Sequence, residues 1–301
     1  EFLEHMKGEP AKKNIFEGVD TTWNRVAGGA GIQKLVTRAL AEFQPENPSA
    51  SVPLLFQIRN AIVDLPQGVW KTRKLAETEQ LIADCLGLFI EARAAHYQSA
   101  PGERLQYTLE FVNRSHTSIA LGKIQATELD WDSVFTQDIV PNRQTVIELS
   151  ADVPAGSEFS DPYWLKHPHT IGLYTVRDEQ KIGMPQNHPA VNLDFNLVVG
   201  GESLTIRRPL IYKWVDPVKG ELWRPFEIVP PVSVNLSENV LVFGTGDPKQ
   251  LGIVIKSAID KPLTGSLQLR LPQGWRAEPA TVAIDLSGRG AEQSAMVTIH
   301  P

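Results

Sequence analysis

Apolar residues recur with helical spacing up to about Ala95 and alternate with polar ones in short runs beyond it. A change of period from 3.6 to two marks the passage from helices to strands. Ile32, Leu35, Val36, Ala39, Leu40 and Phe43 form one continuous stripe, which predicts a helix over Ile32–Phe43. Gly28-Gly29 stands before it, and Pro45 and Pro48 stop it. A second helix over Val52–Leu65 carries Leu55, Ile58, Ile62 and Leu65 on one side. Ser51 is its expected N-cap, and Pro53 lies in the first turn, where a missing N–H costs nothing. A third helix is predicted over Val69–Ala94, lined by Leu81, Ile82, Cys85, Leu88, Phe89 and Ala92, with Cys85 in the core. Three antiparallel helices make a small bundle, or a cap on a neighbouring domain; at about 65 residues the bundle is only marginally stable alone.

From Tyr97 the alternation takes over. Leu105, Tyr107, Leu109 and Phe111 alternate with Gln106, Thr108 and Glu110, a half-buried strand between turns at Ser99–Glu103 and Asn113-Arg-Ser115. Further strands are predicted at Ile119–Leu129, Gln144–Leu149, Gly172–Val176, Val191–Val199, Ser203–Arg207 and Leu210–Val215. Pro225–Val232 is a stiff, proline-punctuated connector. A second series follows at Val232–Leu236, Val240–Phe243, Gln250–Ser257, Gly265–Leu271, Thr281–Leu286 and Ala295–Ile299. The expected fold is mainly β with an N-terminal α-helical segment: a three-helix subdomain followed by two immunoglobulin-like β-sandwiches. The divisions are an extended segment 1–29, a helical subdomain 30–95, a β-sandwich with a long insert loop 96–226, and an immunoglobulin-like sandwich 227–301.

Composition narrows the function classes. The 301 residues are 42% hydrophobic and 21% charged, the balance of a globular protein. A net charge of −6 argues against a nucleic-acid footprint. One cysteine allows neither an intrachain disulfide nor a cysteine-based zinc site. No apolar run approaches the ~20 residues of a membrane span. The opening stretch Glu1–Asn14 is charged, lacks the apolar core of a signal peptide and reads as the end of something larger.

Candidate chemistry concentrates in Ser160–Pro189, which gathers Tyr163, Trp164, His167, His169, Tyr174 and His188 in one long connection. Aromatic faces stack on sugar rings while His and Asp supply hydrogen bonds; the plainer reading is that Tyr163 and Trp164 plug the end of the sandwich. His167 and His169 fall on one side of an extended strand, and His188 or Asp161 would complete a three-ligand metal site, but the spacing is generic. Arg207, Arg208, Tyr212, Lys213, Trp214, Lys219, Trp223 and Arg224 form an aromatic-basic cluster, expected to stack arginine on tryptophan in a domain interface. Asp216–Gly220 is the tight turn expected to bring Trp214 and Trp223 together. Thr22 is an expected turn cap with Trp23 as an anchor, so Trp23, Trp214, Trp223 and Arg224 are the expected interface residues. Gly28-Gly-Ala-Gly31 lacks the preceding strand and Lys-Ser/Thr of a phosphate loop and reads as helix entry. No Gly-x-Ser-x-Gly or His-Glu-x-x-His is present.

Several stretches together carry a family resemblance: Phe16-Glu-Gly-Val-Asp-Thr-Thr-Trp-Asn-Arg-Val26, Asp161-Pro-Tyr-Trp-Leu-Lys166, and Arg208–Pro225 continuing into Glu227–Val234. They resemble the C-terminal half of large bacterial LmbE-like proteins of the PIG-L (N-acetylglucosaminyl-phosphatidylinositol de-N-acetylase) family. Pro262–Trp275 also looks like the β-sandwich module found beside glycosidase catalytic domains. The resemblance implies an upstream zinc-dependent deacetylase domain as partner, a glycan as ligand and a periplasmic or secreted location. The family's catalytic His-Pro-Asp-Asp motif has no match here: the His-Pro pairs are His167-Pro168-His169 and His188-Pro189-Ala190. No catalytic residue carries over, and zinc belongs to the resembled catalytic domain. The expectation is therefore a non-enzymatic accessory region that positions that domain or binds glycan or cell-envelope substrate. The alternatives are a stand-alone metal-dependent hydrolase using His167, His169 and His188, and a structural or oligomerisation module.

Overall fold

The computed structural model of the chain describes residues 12–13, 16–244 and 246–301. Three helices come first: α1 (Ala30–Glu42), α2 (Val52–Val63) and α3 (Val69–Cys85). Thr22 caps a short 3-10 turn at Trp23–Arg25, its hydroxyl accepting the Asn24 amide, and the Trp23 amide donates to Gln33 Oε1 at 3.0 Å. Gly29 must be glycine there, because a Cβ would sit 2.2 Å from the Trp23 carbonyl oxygen. Ser51 does not cap α2 with its side chain; it ends a 3-10 turn, Pro48–Ser51, that runs straight into the helix.

The third helix stops at Cys85, short of the expected Ala94. Gly87 takes a left-handed φ of +55°, and the Leu88 amide closes back onto the Ala83 carbonyl at 2.9 Å. That is a glycine-ended C-terminus. Residues Phe89–Ala94 then form strand β1, with Ile90, Ala92 and Ala94 buried. Cys85, Leu88, Phe89 and Ala92 satisfy a helical stripe, yet from Leu88 the same chain also alternates; the glycine decides between the two periods.

The remaining strands are β2 (Gln98–Ser99), β3 (Arg104–Val112), β4 (Ile119–Ala126), β5 (Trp131–Asp138), β6 (Gln144–Asp152), β7 (Asn192–Val199), β8 (Glu202–Asp216), β9 (Gly220–Pro225), β10 (Glu227–Ile228), β11 (Val232–Leu236), β12 (Lys249–Ser257), β13 (Leu263–Leu267), β14 (Arg276–Glu278), β15 (Val282–Leu286) and β16 (Glu292–His300). An eight-stranded sheet runs β5-β4-β7-β8-β1-β3-β6, with β9 on β8. It is one continuous sheet rather than a sandwich of two separate ones. Phe111 of β3 nevertheless meets Phe195 of β7 edge-to-face at 5.5 Å, and Tyr107 of β3 meets Trp131 of β5 at 5.9 Å. Strands β3 and β7 are three steps apart along the sheet, which would be ~14 Å if it were flat. The sheet therefore curls back on itself, nearly a barrel, around Leu109, Phe111, Leu193 and Phe195.

Strand β8 makes the curl. It is one 15-residue strand where two shorter ones were expected. Its first half pairs with β7, its second half with β9, and Leu210 and Ile211 pair in parallel with β1. Pro209, which has no N–H, sits at the handover. Strand β5 was not anticipated, while Val240–Phe243 has no strand and Gly172–Val176 has only a Thr170–Leu173 bridge.

The C-terminal strands form a four-stranded sheet, β11-β12-β16-β14, and a pair, β13-β15. They share a separate core of Ile253, Ile255, Val282, Ile284, Leu286 and Val297 among others. Arg289 clamps this part to the first, donating to Asp260 at 2.7 Å and to the Gln98 carbonyl at 2.8 Å. Buried Glu103 accepts the Asp260 amide at 3.1 Å.

Candidate functional site

The connection from β6 to β7 departs after Asp152 and returns at Asn192. Two fasteners hold its base. Ser160 exchanges hydrogen bonds with Ile228 of β10: its amide donates to the Ile228 carbonyl at 2.7 Å and its Oγ accepts the Ile228 amide at 2.9 Å. Asn187 accepts the Tyr163 amide at 2.9 Å and donates to the Asp161 carbonyl at 2.7 Å. Tyr163 Oη donates to the Met184 carbonyl at 3.0 Å. Neither Ser160 nor Asn187 was singled out from the sequence, where an isolated Ser or Asn in a loop has no pattern to mark it.

The pinned segments form a partition with a hollow on each side. One cavity of about 300 Å³ is lined by Glu128, Glu158, Asp161, Tyr163, Lys166, Lys181 and His188 among others. A second, of about 190 Å³, lies against Trp164, Pro225, Phe226 and Glu227 and shares Ser160, Asn187 and His188. Tyr163 and Trp164 meet edge-to-face at 4.9 Å in the wall. Lys166 pairs with Glu158 and holds its carboxyl below the usual carboxylate range, with Lys181 adding to the effect. Glu128 accepts from the Asn192 side chain at 3.1 Å. Carboxylates, ammonium groups and an imidazole thus line the first hollow, and an indole, a carboxylate and the same imidazole the second, groups that hydrogen-bond and stack on a polyhydroxylated ligand.

Of the six expected ligand residues, the structure brings Tyr163, Trp164 and His188 together around the partition. His169 and Tyr174 pair elsewhere, ring to ring at 5.1 Å, at the far turn of the loop. His167 lines neither cavity. Among the described residues no three His, Cys, Asp or Glu side chains gather as a ligand set. The imidazole chelate of the stand-alone hydrolase alternative has no counterpart there.

The aromatic-basic cluster is arranged differently from expectation. Asp216 Oδ1 accepts the Val218 and Lys219 amides at 2.9 and 2.8 Å, so the tight turn forms. The hairpin register sets Lys213 opposite Trp223 and Trp214 opposite Leu222, which places the two tryptophans on opposite faces. Trp214 lies near-parallel to Tyr212 at 5.8 Å. Trp223 shares a face with Lys213, whose ammonium bridges Glu91 at 2.5 Å and Glu221 at 2.9 Å. Arg224 stacks on Tyr97, at 4.6 Å, instead of on tryptophan, and pairs with Glu227 at 3.1 Å. Arg207 is taken by Asp194. Trp23 packs against the main core.

No family model matches the chain, and no curated protein matches it. Among solved structures it is similar to a red sea bream transglutaminase at 11% identity and TM-score 0.34, over 78% of this chain and 30% of that one. An alkylpurine DNA glycosylase from Pseudomonas fluorescens, bound to DNA with an abasic-site analogue, matches at 10% identity and TM-score 0.21, over 58% of this chain and 50% of that one. A Porphyromonas gingivalis W83 protein of unknown function matches at 9% and 0.19, over 71% and 83%. Likenesses this distant carry nothing about function.

Proposed function

We propose that this chain is a non-catalytic binding platform, the accessory region of a bacterial PIG-L/LmbE-like N-acetyl-sugar deacetylase. In this reading its β6–β7 loop holds a glycan or cell-envelope substrate, the body positions the upstream catalytic domain, and the C-terminal β part is an immunoglobulin-like sandwich. Zinc and the hydrolytic step reside in that other domain, in the periplasm or outside the cell. The reading is supported by the motif resemblance and, above all, by the partition at Asn187, which fixes an indole, an imidazole and several carboxylate and ammonium groups around two adjoining hollows. A tethered site of this kind raises the local substrate concentration even when its own affinity is weak. Isothermal titration with N-acetylglucosamine oligomers tests it. Saturable heat that falls about tenfold in affinity in Trp164→Ala supports the reading, in line with the ~1–3 kcal/mol of a stacked ring. Absence of binding across acetylated and deacetylated oligomers contradicts it.

A further inference from the structure

The larger hollow at the partition is unevenly charged. Its wall carries three carboxylates, Glu128, Glu158 and Asp161, against two ammonium groups, Lys166 and Lys181. Both ammonium groups are committed. Lys166 pairs with Glu158, and Lys181 pairs at 3.6 Å with Asp178, which lies outside the lining. Glu128 accepts from neutral donors, the Asn192 side chain at 3.1 Å and the Asn192 amide at 3.4 Å. Arg207 interacts with Glu128 from β8, but gives its two short bonds to Asp194. Asp161 is held by Asn187 through its backbone carbonyl, and its carboxylate has no ion-pair partner among the described residues.

Two carboxylates are therefore left without a counter-charge in a hollow of about 300 Å³, on a chain of net charge −6. Their complement is a cation, and the surroundings limit its kind. Among the described residues no three His, Cys, Asp or Glu side chains gather as a ligand set, so a bare metal ion finds no coordination shell there. The volume suits a small organic molecule instead. Phe159, 40% exposed, lines the same hollow and adds an aromatic surface beside the carboxylates. Aromatic surface, hydrogen-bonding side chains and unmatched negative charge together fit a sugar that bears a protonated amine. An N-acetyl group is neutral and leaves both carboxylates unmatched.

We propose that this hollow selects amino sugars whose nitrogen is free over their N-acetylated counterparts, with Glu128 and Asp161 facing the ammonium group. This selectivity rests on the glycan reading and adds the charge of the glycan that is favoured. Both carboxylates are solvent-exposed, so the advantage is modest, about three- to tenfold in affinity.

Isothermal titration of the full chain with glucosamine oligomers and N-acetylglucosamine oligomers of equal length, at low salt and with the amine protonated, tests it. The free-amine oligomer should bind about three- to tenfold tighter, and the advantage should shrink as salt is raised. The double variant Glu128→Gln with Asp161→Asn should lose that advantage and keep the N-acetyl affinity, because the amides preserve side-chain size and the Asn187 bond to the backbone of residue 161. A control, Glu46→Gln with Glu238→Gln, removes the same charge from exposed positions outside the hollow and should keep the advantage. Equal or tighter binding of the N-acetyl oligomer overturns the proposal and leaves the glycan reading standing. So does an advantage that survives in the Glu128→Gln, Asp161→Asn variant or is abolished in the control. Binding of neither oligomer refutes the glycan reading and this selectivity with it.

Discussion

Asn187 and Tyr163 are joined by a 2.9 Å hydrogen bond from the Tyr163 amide to Asn187 Oδ1, while the other end of the same side chain donates to Asp161. One amide group thus closes an excursion of 26 residues. Asn187→Ala removes both bonds, at about 1 kcal/mol each. The loss is local, because the loop carries little of the main core. Amide exchange at Tyr163 should quicken about tenfold or more while the thermal midpoint moves little. Exchange at Tyr163 unchanged from wild type would refute the pin.

Phe111 and Phe195 touch only because the sheet curls. Both are fully buried. Each change to alanine should cost about 3–5 kcal/mol in urea unfolding. The double variant should cost less than the sum by about 0.5–1.5 kcal/mol, the coupling of an edge-to-face pair. Additive losses would mean the two rings do not meet.

Asp194 lies opposite Arg207 in the β7–β8 ladder and receives two bonds from its guanidinium, both 2.6 Å. Those bonds hold its carboxyl below the ordinary range. A carboxyl depressed in the folded state stabilises above its unfolded value of about 3.9, and that contribution is lost as pH falls through the folded value. The urea midpoint of wild type should therefore drop between pH 5 and pH 2 more steeply than that of Asp194→Asn. Parallel curves would contradict the pair's role.

The helices and most strands were legible because single residues set their limits: Pro53 in the first turn of α2, and the alternation from Leu105 to Phe111. The end of α3 was not, since Leu88 and Ala92 fit both periods and only the φ of Gly87 separates them. Strand β5 was missed because apolar Val134 faces outward and polar Ser133 takes an inward, half-buried position, which breaks the alternation. The path of β8 was missed because proline reads as a stop, whereas Pro209 sits where β8 changes partners. In the loop, aromatic and histidine content marked the right segment but could not tell His188 from His167. That distinction comes from Asn187 and Ser160, whose roles exist only through partners far along the chain.

The central claim is that the β6–β7 loop is a ligand-binding surface. Hydrogen exchange followed by mass spectrometry, on the full chain with and without a saturating N-acetylglucosamine oligomer, tests it most directly. The account predicts added protection in the segments around Ser160–Trp164 and Gln186–Ala190, and little elsewhere. Protection centred on another surface, or none at all, would contradict it.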